Sequence, residues 1–128
     1  MKSRILGRQP AMILSYGIKD TKLTSLIKVC DKYNIVVRQV LPSEVGRSIS
    51  NLLEVAQLNI EHYPNGCDEC ILMVGLKNST MNKFLDTLKD ENIKIPLKAI
   101  LTPNNKTWTF ENLLKELKLE HEKLNDNI

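Results

Sequence analysis

The sequence predicts an α/β fold: a small four-stranded parallel sheet of strand order 2-1-3-4, built from two β-α-β-α repeats. Three observations carry this reading. Near-continuous apolar runs alternate with helical periodicities. The alternation occurs twice in the same order. The two stretches also align residue by residue, with one short insertion. ILSYGIKDTKLTSLIKVCDKYNI (13–35) lies over ILMVGLKNSTMNKFLDTLKDENI (71–93) at an offset of 58, with Ile13/Ile71, Leu14/Leu72, Gly17/Gly75, Lys19/Lys77, Asn34/Asn92 and Ile35/Ile93 identical. LPSEVGRSISNLLEVAQL (41–58) then lies over TPNNKTWTFENLLKELKL (102–119) at an offset of 61, matching Pro42/Pro103, Asn51/Asn112, Leu52/Leu113, Leu53/Leu114 and Leu58/Leu119. The units run over 11–58 and 70–124, joined by a linker at 59–69 and preceded by an N-terminal arm at 1–10, all in one domain.

The elements follow in order. AMILSYG (11–17) and CILMVG (70–75) are near-continuous apolar runs, as strands buried on both faces are. Each ends in Gly and a polar cluster able to start a helix. The first helix of each unit is marked by Leu23, Leu26, Ile27 and Cys30, or by Met81, Phe84, Leu85 and Leu88, spaced along one face. The next strands, IVVRQVL (35–41) and IPLKAIL (95–101), carry Arg38 and Gln39, or Pro96 and Lys98. Such interruptions belong at a sheet edge. The last helix of each unit bears Ile49, Leu52, Leu53 and Ala56, or Phe110, Leu113, Leu114, Leu117 and Leu124. Alternating strands and helices imply parallel pairing through right-handed crossovers. A ferredoxin-like α+β arrangement is the alternative. It joins its second and third strands without a long helix, and 42–69 reads as holding one.

Composition bounds the function. A chain of 128 residues is long enough for one domain with a real core. No apolar run approaches the roughly 20 residues of a membrane span, and MKSRILGRQP lacks the apolar stretch of a signal peptide, so a cytoplasmic protein is expected. Lys2, Arg4 and Arg8 account for the net charge of +3, leaving 15 of the 18 basic residues against all 15 acidic ones. Phosphate-backbone binding needs clustered cations, so the balance argues against nucleic acid as a partner.

In an open parallel sheet a ligand binds beyond the strand C-termini where the order reverses. That point would bring together the loops at Gly17, Lys19 and Asp20 and at Gly75, Lys77 and Asn78. Glycine permits close approach, and helix starts and lysines favour a small anion. The plainer account is that Asp20 and Asn78 cap helices while the lysines are solvated. In the loop TPNNKTWT (102–109), Thr109 reads as an N-cap and Trp108 as its staple on Leu113. That leaves Asn104, Asn105, Lys106 and Thr107 as the stretch helix-start chemistry does not explain.

No phosphate-binding glycine motif and no nucleophile–base spacing is present. Cys67 and Cys70 form a C-x-x-C, the candidate for a metal or redox pair. They precede a strand and enclose two acids, and no second pair accompanies them, so incidental cysteines are the expectation and no cofactor is implied. His121 reads as a half-buried helix residue rather than a general base.

LMVGL (72–76), FLDTLK (84–89), IPLKAILTPNN (95–105) and WTFENLLKELKLEHE (108–122) together resemble an uncharacterised bacterial family of unknown function, most specifically in the run P-L-K-A-x-x-T-P-x-N-x-x-W-T over 96–109. The first half is similar to a more divergent N-terminal half of the same proteins. The resemblance implies a small cytoplasmic α/β protein and transfers no activity, cofactor or catalytic residue. The leading expectation is a non-catalytic binding or regulatory module for a small anionic ligand or a protein partner. The alternatives are an enzyme of undetermined reaction that uses the strand C-terminal loops, and a structural interaction protein, for which a homodimer is one form.

Overall fold

A computed structural model describes residues 11–57 and 59–126; the N-terminal arm at 1–10 and Leu58 lie outside the described residues. The elements run β1 (Met12–Tyr16), α1 (Asp20–Lys32), β2 (Val36–Gln39), α2 (Ile49–Glu54), β3 (Cys70–Val74), α3 (Asn78–Asp90), β4 (Leu97–Ile100) and α4 (Phe110–Asp126). Short 3₁₀ turns at Pro42–Glu44 and Asn105–Thr107 precede α2 and α4. The sheet order is β2-β1-β3-β4, with the interrupted strands at the edges.

The expected all-parallel sheet is corrected by the central pairing. β1 pairs parallel with β2, and β3 with β4, but β1 and β3 run antiparallel. The cause lies in α2. Six residues at about 1.5 Å each cover roughly 9 Å, too little to carry the chain back along a five-residue strand of about 17 Å. Instead the backbone turns extended at Val55, whose carbonyl accepts Arg38 Nε at 3.1 Å, and Gln57 Oε1 accepts the edge N–H of Gln39 at 3.0 Å. The linker then stays at the end where β2 finished. Ser43 hydrogen-bonds Glu61 through its backbone N–H (3.1 Å) and its hydroxyl, and the Tyr63 hydroxyl donates to the Val40 carbonyl at 2.7 Å. β3 therefore starts beside the end of β1, with Cys70 opposite Tyr16. The ferredoxin-like alternative does not describe the molecule either, because helices cover both faces rather than one.

One core joins α1 and α3 to a face of the sheet through Ile13, Leu26, Cys30, Ile71, Phe84 and Leu88. The other joins α2 and α4 to the opposite face through Leu14, Ile49, Leu52, Leu72, Phe110 and Leu113. β3 is buried at every residue, which is why its sequence is continuously apolar.

Two of the aligned pairs also face one another. Leu14 lies opposite Leu72, and Ser48 bridges Thr109 in an antiparallel contact above the second core. Ser48 Oγ and Thr109 Oγ1 accept the backbone N–H groups of Asn51 and Asn112, each at 3.1 Å, as N-caps do. Asn34 and Asn92 take positive φ (57° and 59°) just past α1 and α3. The following N–H groups of Ile35 and Ile93 return to the carbonyls of Cys30 and Leu88, at 2.9 and 2.8 Å. These are Schellman endings, and asparagine tolerates the left-handed conformation they require.

Candidate functional site

Reversing β3 separates the loops expected to converge. Gly17, Lys19 and Asp20 lie at the end where β1 and β2 finish. Gly75, Lys77 and Asn78 follow β3 at the opposite end, about 17 Å away along the strands. The connection leading to Asn104–Thr107 follows β4 at that second end, since the Leu101 N–H donates to the Met73 carbonyl at 2.9 Å. None of the main cavities among the described residues is lined by Gly75, Lys77, Asn78 or Asn104–Thr107.

Within that last group, Asn105 has a structural task. It is buried, its Oδ1 accepts the Thr102 N–H at 2.9 Å, and its Nδ2 donates to the Ile100 carbonyl at 3.1 Å. The Thr102 hydroxyl accepts the Asn105 N–H at 3.1 Å in return. The first half meets the same need with an ion pair. Glu44, at the aligned position, accepts the Leu41 N–H at 3.0 Å, and Arg38 donates to both its carboxylate oxygens (2.7 and 3.0 Å) and to the Gln39 carbonyl (2.8 Å). Arg38 and Glu44 are only 5% and 9% exposed, so this pair is a structural clamp on the β2–α2 loop. The Arg38 hydrogen bonds hold the Glu44 carboxyl below the usual range, against burial, which acts the other way.

At the Gly17 end the linker, β1, the start of β4 and α4 enclose a cavity of about 430 Å³, a size suited to a small molecule. Gly17 makes this corner possible. At φ +78° its α-carbon lies so close to the linker that a Cβ would fall inside the Asp68 carbonyl oxygen, with the carbonyl carbon at 3.0 Å and Cys67 Sγ at 3.1 Å. Pro64, Pro96 and Leu97 supply apolar lining, and Lys19, Lys118, His121 and Glu122 supply polar groups. Asp68 is paired with Lys118 at 3.4 Å. Glu69 is paired at 2.8 Å with Lys22, whose ammonium also donates to the Lys94 carbonyl at 2.8 Å. His121, expected half-buried, is exposed on α4 and faces this cavity.

Burial pushes the Cys67 thiol up, and Asp68 and Glu69 push it further against the pull of Lys19. Burial likewise raises the Tyr16 phenol, with Cys67 and Asp68 adding to it. Cys70 is fully buried and pushed up to about 12, by burial first and Asp68 second. All three cysteines are free, and no group of three or more His, Cys, Asp or Glu among the described residues could hold a metal. Cys67 and Cys70 thus have different surroundings, one lining the cavity and one in the second core.

Of the residues the sequence singles out as ligand candidates, Gly17 and Lys19 line this cavity, and Cys67, read as an incidental cysteine, lines it too. Lys118 and Glu122 look like ordinary helix-surface residues, His121 reads as half-buried, and the Pro-Asn-Gly linker reads as a spacer. No local signal links them, because the reversed β3 is what brings them to one corner.

No helix among the described residues is long and apolar enough to cross a membrane. Residues 69–124, from the start of β3 almost to the end of α4, match a family profile described as "Domain of unknown function (DUF3783)". No match was found among curated proteins or among solved structures.

Proposed function

We propose that the protein is a non-catalytic binding or regulatory module whose ligand site is the cavity at the Gly17 end. The observation that carries this reading is the origin of the cavity wall. Four separate segments meet around one concave space, and Gly17 has the one side chain that lets the linker close over it. The polar groups in this corner lack an activated nucleophile, since Cys67 is shifted away from its thiolate. We read the two halves as copies of one ancestral unit, with the linker and the end of α4 adapted in this chain to form a site that neither half holds alone. A cytoplasmic, bacterial setting, with the 96–109 run as the mark of its family, belongs to the same proposal.

The test is a thermal-shift screen of small polar molecules against the wild type, repeated on three variants. His121→Trp places a large ring at the cavity mouth and should abolish the shift. Lys19→Met should weaken it. Lys77→Met, at the far end of the sheet, should leave it unchanged. A screen without a binder, or a binder indifferent to His121→Trp, refutes the reading.

A further inference from the structure

We propose that the ligand of this cavity is a zwitterion, an α-amino acid or short peptide with an apolar side chain, bound through its carboxylate to Lys19 and its ammonium to Glu122. The inference rests on the binding reading above and adds the chemical class. Five charged side chains line the cavity, namely Lys19, Lys118, Asp68, Glu69 and Glu122. Asp68 is already matched by Lys118, and Glu69 by Lys22 from outside the lining. Among the described residues Lys19 and Glu122 carry no salt bridge. The cavity therefore presents one uncommitted charge of each sign.

That balance discriminates between ligands. With Asp68, Glu69 and Lys118 already paired, a phosphate or dicarboxylate entering here meets one free lysine and His121 beside one free carboxylate, so its second negative charge would face Glu122. A simple amine would leave Lys19 unanswered, and a simple carboxylate would leave Glu122 unanswered. A molecule carrying both charges answers both. Lys19 acts on this space directly, because its ammonium opposes Asp68 and Glu69 at the Cys67 thiol. Pro64, Pro96 and Leu97 offer an apolar wall for a side chain, and about 430 Å³ accommodates an amino acid or dipeptide.

The experiment titrates labelled wild-type protein with L-leucine and with the dipeptide leucyl-leucine, reading amide shifts of Gly17, Gly66, Asp68 and His121. In parallel it uses 4-methylpentanoate, which lacks the amine, and 3-methylbutylamine, which lacks the carboxylate. A zwitterion should move these amides saturably and the single-charge analogues should not. Lys19→Met and Glu122→Gln, both exposed and expected to fold, should each weaken binding by roughly three- to fivefold, as partly solvated ion pairs do. Single-charge analogues binding as well as leucine would overturn the zwitterion while leaving the binding site standing. Silence from both zwitterions overturns the inference outright, whereas the binding reading falls only if the broader screen also yields nothing.

Discussion

Gly17→Ala is the substitution on which the account of this corner depends most. Two costs add. Alanine at φ +78° adopts the left-handed region at about 1–2 kcal/mol. Its methyl group would also overlap the Asp68 carbonyl, a backbone atom that no rotamer change can move aside. Forced displacement in a packed region adds about 1–3 kcal/mol, giving a total of about 2–5 kcal/mol. For a chain of this size that corresponds to a fall in Tm of about 8–20 °C. Gly66→Ala is the control. It has nearly the same φ, +75°, but its added carbon meets nothing within 4 Å, so only the conformational cost remains and the fall should be about 4–8 °C. Urea and thermal unfolding of both variants measure the difference. Equal losses would refute the claim that close linker approach, rather than backbone conformation alone, is what requires glycine at 17.

Other outcomes follow from the same contacts. Glu44→Gln should cost about 3–5 kcal/mol near neutral pH, because it leaves Arg38 buried without its counter-charge. The wild-type carboxyl is held below its ordinary 4.5 in the folded state, so its contribution is complete above that value and is lost as pH falls through the folded one. Unfolding measured between pH 7 and 3 should show this acid-labile component in the wild type and not in Glu44→Gln. Asn105→Ala should cost about 1–3 kcal/mol by stranding the Thr102 N–H and the Ile100 carbonyl, whereas Lys106→Ala should stay within about 0.5 kcal/mol in the same urea assay. A thiol reagent at pH 8 should modify Cys67 alone in the native protein, and slowly. Cys30 and Cys70 are buried and pushed up to about 12, so fast labelling of two thiols without denaturant would contradict the packing.

Most of the local elements were legible in the sequence, because their causes are local. Near-continuous apolar runs marked the central strands, and Arg38 and Lys98 marked the edges. Thr109, with Ser48 at the aligned position, started helices, as their hydrogen bonds bear out. Even the strand order was legible. The direction of β3 was not, because it depends on how far α2 carries the chain, and hydrophobic spacing alone does not show that the helix stops after six residues. Arg38 and Gln39 in β2 decide that jointly with Val55 and Gln57, across 17 and 18 positions of chain. One reversal then moved Gly75 to the far end of the sheet and brought Lys118, His121 and Glu122 beside Gly17. The cavity became visible only in the folded chain, since its wall is made of contacts between segments and sequence periodicity records only contacts within them.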